Sequence, residues 1–327
     1  MRLTPSDVAV DLKRNGLLAV GSGVLGALVF YPFDLWFLAP VALVPLLIGL
    51  HRTETTRAAG YLALLTGWTM SLVSLHWRWS IFATGMIAVC VLIALPWLLF
   101  GLGYHVLARR LAFCARGRHA PHAGISVSES GMRSMPTTRL EMILATPVLF
   151  TAIEWVRCQG WYFRFSWLQP GSAYVASQAS QSTYPLVGVY GMTFLTVLVS
   201  AALTLALLQP NRVRRLKALA ATTGLVAVLA LAFRVAWLTG LSSGGAVGGG
   251  TDPDPLTVLM VQSETEDLDW LIERTREFAR SRPKLIVWPE LAVNDYVTDD
   301  PAVLERLQSL AREMQATLIL GCKSHVP

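Results

Sequence analysis

Charge is what this sequence has least of. Only 15% of its 327 residues are Asp, Glu, Lys or Arg, while 54% are hydrophobic; ordinary globular domains are roughly 25% charged. With a mean hydropathy of +0.50, the chain cannot be one soluble domain, and much of it must face lipid. Acid is scarcest in the first 250 positions, which hold 7 Asp/Glu against 19 Lys/Arg, net +12; residues 251–327 hold 14 against 8, net −6. A basic membrane part therefore precedes an acidic soluble part. Cysteine is sparse as well. The four are Cys90, Cys114, Cys158 and Cys322, and with no CxxC pair, and only the lone C-x-x-H of Cys322 and His325, they point to neither a zinc site nor a disulfide framework. No small-residue cleavage site follows the first apolar run, so that run reads as a retained helix and not a signal peptide. The basic residues gather on no single face or stripe. They sit in short clusters between apolar runs, which suits topology control and argues against a nucleic-acid partner.

What the sequence has in quantity is apolar runs approaching the roughly 20 residues of a spanning helix. They fall at about 16–31, 34–50, 59–77, 82–108, 141–157, 185–208 and 216–239, and predict seven spans. The first two are short enough that a re-entrant hairpin turning at Tyr31-Pro32-Phe33-Asp34 is the alternative. Lys and Arg concentrate in alternate loops: Lys13-Arg14, 51–57, 109–118 and 212–217 on one side. The opposite loops carry few cations, Arg78 among them. The positive-inside rule then puts everything after the seventh span outside the cytoplasm.

Polar residues inside the membrane part are few. Glu154 and Arg157 stand three apart in the fifth run, so they share a helix face and can pair. Such a pair is either a polar site facing the bundle interior or a structural contact near the membrane surface. Arg234 in the seventh run is expected to snorkel toward the outer surface. Aromatics crowd the outer ends: Trp77, Trp79, Trp155, Trp161, Tyr162, Phe163, Phe165 and Trp167. Singly each reads as part of an interfacial belt. Together they suggest a lipid-handling surface, in which Trp77 and Trp167 are candidates for substrate contact beside Glu154 and Arg157.

Residues 115–139 and 242–255 are rich in Ser, Gly and Pro and read as a cytoplasmic loop and a flexible tether. Beyond the tether, "PLTVLMVQSE" reads as an apolar strand, Leu268 to Arg280 as an amphipathic helix and "PKLIVWPEL" as a second strand. "DDPAVLERLQSLAREMQA" reads as an Asp-capped helix with Pro in its first turn, and "TLILG" as a third strand. The order β-α-β-α-β with uniformly apolar strands predicts a parallel-type sheet covered by helices. At about half the length of a typical domain, the sheet looks unfinished. Glu290 follows the second strand, at the carboxyl end where α/β ligand sites form. It reads either as a general base beside a nucleophile or as an ordinary loop glutamate.

Several stretches together bring a family into view. "GVLGALVFYPFDLWFLAPVALVPLL", "SLHWRWSIFATGM", "EWVRCQGWYFRFSWLQPG", "LVGVYGMTFL", "VLMVQSETEDLDW" and "LIVWPEL" resemble, in that order, segments of the bacterial apolipoprotein N-acyltransferase family. These are membrane members of the carbon-nitrogen hydrolase (nitrilase) superfamily. The resemblance implies a polytopic α-helical membrane domain of about seven spans at 1–241 and a tether at 242–255. At 256–327 it implies the N-terminal part of an αββα nitrilase-like domain, extracytoplasmic and incomplete. It also implies a Glu-Lys-Cys thioester mechanism with a phospholipid acyl donor, an apolipoprotein acceptor, contact with membrane lipid, no cofactor and no metal. The location implied is the bacterial inner membrane, with the soluble segment on the periplasmic side.

Glu290 matches the family's general base, and Trp270 matches a tryptophan near the active-site entrance across a loop one residue shorter. The family's lysine and cysteine have no counterpart in these 327 residues, so the chain is expected to be a C-terminally truncated relative, inactive as it stands. Cys322 follows the third strand and reads as a packing residue. Two other readings stay open: a degenerate, non-catalytic membrane protein that keeps lipid or partner binding, and a membrane-tethered hydrolase with another acceptor. A transporter is disfavoured by the few ionisable residues in the spans.

Overall fold

The structure is a computed structural model that describes residues 5–30, 32–118, 139–160, 164–177, 183–238, 256–262, 267–289, 292–293, 297 and 299–323. Glu290, the tether at 242–255, nearly all of the loop at 115–139 and the aromatics Trp161, Tyr162 and Phe163 lie outside the described residues. The chain divides into two compact units, Met1–Gly244 and Gly245–Pro327.

The first unit is helical. Its long elements are α1 (Pro5–Leu28), α2 (Val44–Arg52), α3 (Thr56–Ser74), α4 (Gly85–Arg118), α5 (Arg139–Trp155), α6 (Tyr184–Leu207) and α7 (Arg212–Leu238). Among the described residues three stretches suffice, by length and composition, to cross a membrane: Gly85–Phe113, Tyr184–Leu207 and Arg212–Val235. The other expected spans fall short of that standard for identifiable reasons. α1 continues toward the N-terminus through Asp11, Lys13 and Arg14, so charge dilutes it. α3 is diluted by Gly, Thr, Ser and Trp, and α5 has 17 residues before the chain enters a π-helical turn at Val156–Gly160. The run at 34–50 breaks into a 3-10 turn at Trp36–Leu38, a turn of helix at Ala39–Ala42 and the 9-residue α2, with Leu43 between. At about 1.5 Å per residue, the 19 residues of α3 still measure close to the roughly 30 Å of a hydrocarbon core.

The core of this unit is built where α1, α2, α3, α4 and α6 meet, around Leu46, Leu47, Leu50, Leu62, Phe100 and Val197. Small residues let the backbones close up: a Cβ on Gly101 of α4 would lie 2.3 Å from the Ala59 carbonyl oxygen of α3. Hydroxyls then cross-link the helices, since a buried polar group in an apolar bundle needs a partner. Thr66 donates to the Ala19 carbonyl at 3.0 Å, Ser22 to Ala42 at 2.5 Å and Ser200 to Pro40 at 2.7 Å. The last two hold the broken segment from both sides.

The second unit carries β1 (Val258–Met260), α8 (Leu268–Glu277), β2 (Leu285–Val287), α9 (Pro301–Met314) and β3 (Thr317–Ile319). The strands form one parallel sheet in the order β1-β2-β3, with Leu259 opposite Ile286 and Ile286 opposite Leu318. Asp267 caps α8 and Asp300 caps α9, each through backbone N–H groups two and three residues on. Ile286, Leu271, Leu310 and Trp288 are buried together, and the Trp288 indole N–H donates to the Thr275 hydroxyl at 3.0 Å. Val258, Met260 and Ile319 are exposed, so the sheet's other face is uncovered among the described residues.

Candidate functional site

The polar centre of the membrane unit begins where α5 ends. Glu154 and Arg157 are 3% and 6% exposed. The π-helical turn after Trp155 keeps the two side chains in register. Arg157 donates from Nε to Glu154 Oε1 at 3.0 Å and from Nη2 to Oε2 at 2.6 Å, the bidentate geometry that matches a guanidinium to a carboxylate. Its Nη1 donates to the backbone carbonyls of Phe165 and Trp167, both at 2.9 Å. The charge is fully used, and the loop at 164–168 is tied down onto the end of α5. That loop bends through two non-glycine residues in the left-handed region, Arg164 at φ 43° and Leu168 at φ 58°. Such strain persists where surrounding contacts over-determine the backbone. Gln169 then donates to Cys158 Sγ at 2.8 Å. A Cβ on Gly171 would sit 2.0 Å from the Val189 carbonyl, so this segment lies directly on α6.

Pinned in this way, Trp167 meets a residue from a distant loop. The Arg78 guanidinium lies 3.6 Å from the centre of the Trp167 ring and 4.4 Å from that of Trp77, and Phe165 packs tilted against Trp167 with ring centres 4.9 Å apart. Four sequence candidates, Trp77, Trp167, Glu154 and Arg157, are thus joined in one constellation through Arg78. Arg78 itself had registered only as a cation in a sparsely charged loop. The available signal was its position directly after Trp77 with no acid near it in sequence; the contact with Trp167 depends on loop geometry. Among the described residues Arg78 has neither a carboxylate partner nor a hydrogen bond, and its Nε is enclosed. Trp77, Trp79, Trp155 and Trp167 are all exposed at this end of the bundle. At the other end of α3, Arg109 donates to the Glu54 carbonyl at 2.6 Å and His105 bridges Thr56 and the Thr53 carbonyl.

The remaining candidates belong to the second unit. Trp270 is exposed in the first turn of α8. Glu290 lies outside the described residues, three positions after the end of β2, the central strand. Cys322 is exposed, with its backbone bridged to Val293. Arg234 is exposed on α7.

Residues 22–202 match the family described as apolipoprotein N-acyltransferase N-terminal domain. The chain is 27% identical over 321 residues to an apolipoprotein N-acyltransferase of Photobacterium profundum, covering 93% of this chain and 55% of that protein. It is 31% identical over 331 residues to one from Azotobacter vinelandii, covering 94% and 56%. With one from Geobacter metallireducens it shares 25% identity over 333 residues, covering 98% and 59%. The chain therefore spans a little over half the length of these relatives.

Proposed function

Since the chain belongs to the apolipoprotein N-acyltransferase family, we propose that it is the membrane part, and the opening of the catalytic domain, of an enzyme that N-acylates lipoproteins. The observation carrying this reading is the family match over residues 22–202. The parallel strand order of the second unit adds support. On this reading the membrane part makes seven spans in the inner membrane, residues 242–255 form a tether, and residues 256–327 open an αββα nitrilase-like domain on the periplasmic side.

The acyl donor is a phospholipid and the acceptor is the α-amino group of a lipoprotein's diacylglyceryl-cysteine. Glu290 acts as general base. It takes the proton of a cysteine thiol as the sulfur attacks the donor's ester carbonyl, and returns it to the departing lysophospholipid oxygen. The lipoprotein amine then attacks the thioester, forming the amide and releasing the thiol. A lysine stabilises the oxyanion at each stage. Neither the lysine nor the cysteine has a counterpart within residues 1–327. What supports Glu290 is its place in the sequence just past the central strand of a parallel sheet, the position where ligands bind in such folds. Trp270, exposed at the start of α8, is proposed to line the entrance.

The test is to incubate the protein, purified from its own cells' membranes, with a phospholipid and a diacylglyceryl lipopeptide. A mass gain of one acyl chain on the lipopeptide is expected, and an unchanged lipopeptide mass contradicts the reading.

A further inference from the structure

We propose that Arg78, held between the rings of Trp77 and Trp167, binds the phosphodiester of a phospholipid headgroup. The inference rests on the reading of a phospholipid as donor, and it assigns the lipid's anionic group to a residue of the membrane unit. Among the arginines at this end of the bundle, which include the exposed Arg164, Arg157 and Arg78 are in opposite states. Arg157 spends all three nitrogens on Glu154 and on two carbonyls. Arg78 has two aromatic faces against it and no acceptor in its plane among the described residues. Rings stacked on a guanidinium leave its edge to hydrogen-bond; with Nε enclosed, the two Nη groups are the paired donors spaced for two oxygens of one phosphate.

The carboxylate of the constellation, Glu154, is committed to Arg157 and does not pair with Arg78. Depth is also right. Trp77 and Trp167 follow the ends of α3 and of the turn after α5 and are 42% and 36% exposed; tryptophans at the ends of spans are enriched at headgroup level, where the phosphates are. The site is preorganised as well, because Arg157 anchors the backbone of Trp167 itself. A ligand then pays little ordering cost at that residue.

The test uses the full-length protein in neutral detergent, titrated with radiolabelled dioctanoyl phosphatidylglycerol and, separately, with dioctanoylglycerol, which has the same chains and no phosphate. The expected result is saturable binding of the phospholipid at least about tenfold tighter than of the diacylglycerol. Arg78→Gln should erase that preference without changing diacylglycerol binding, and Arg78→Lys, which keeps the charge and loses the fork, should retain part of it. Equal affinity of the unaltered protein for both lipids overturns the proposal without recourse to any variant. So does a preference that survives in Arg78→Gln, or displacement of the lipid by inorganic phosphate at equal concentration, which marks a site for free phosphate. Binding requires no turnover, so the two readings fail separately. Acyl transfer without headgroup preference sinks this site alone, and headgroup preference without acyl transfer sinks the enzymatic reading.

Discussion

Arg157 grips Glu154 with two hydrogen bonds, of 3.0 and 2.6 Å, at the point where α5 gives way to a loop. The same guanidinium holds the carbonyls of Phe165 and Trp167. A buried pair of this kind is costly to break from one side, because the surviving charge is left uncompensated, at about 3–5 kcal/mol. Glu154→Gln should therefore lower the thermal midpoint of the purified protein sharply. The double variant Glu154→Gln, Arg157→Met should recover only part of the loss, since the two loop carbonyls remain without donors. A double variant as stable as the starting protein would show that Arg157 does not organise the loop.

Helix closeness in the membrane unit turns on Gly101. Its added Cβ would meet the Ala59 carbonyl at 2.3 Å, and backbone cannot swing aside as a side chain can. Gly101→Ala is expected to cost about 1–3 kcal/mol by forcing α3 and α4 apart. Gly85→Ala, with nothing within 4 Å of the new carbon, should be close to neutral. Thermal unfolding of the two variants side by side checks the contrast, and equal midpoints would contradict it.

In the second unit, Ile286 on the central strand is fully buried. Ile286→Ala should destabilise the sheet by about 2–5 kcal/mol. Amide hydrogen exchange would register this as lost protection across β1, β2 and β3. Unchanged exchange there would mean that the sheet owes little to this residue.

The proposed topology can be read from Cys322, which is exposed, whereas Cys90 and Cys158 are buried. In a variant retaining Cys322 as its sole cysteine, a membrane-impermeant maleimide should label intact inner-membrane spheroplasts. Labelling only after the membrane is opened would reverse the orientation.

Much of this arrangement was legible beforehand, for physical reasons that also explain the rest. Apolar runs end where charges or Pro-Gly punctuation begin, so the order of helices and the strand-helix alternation of 256–327 could be read directly. Glu154 and Arg157 could be paired from their spacing alone, because three residues on a helix bring side chains together. The span count was harder. Leu43 and the prolines on either side of it at 40 and 45 break the second run, and α1 carries charge that its apolar end does not announce. Arg78 was beyond reach for a different reason. Its contact with Trp167 joins residues 89 positions apart through a loop bent at Arg164 and Leu168, non-glycine positions where no local residue type signals a positive φ.

The central proposal is that Glu290 acts as general base, and replacing it with Gln in the full-length protein tests that most directly. The readout is the initial rate of acyl transfer from phospholipid to a diacylglyceryl lipopeptide, alongside a thermal midpoint to verify folding. Removal of a general base predicts a fall of about 10²–10⁴-fold with the midpoint unchanged. A variant that folds and transfers acyl chains at the original rate would contradict the account.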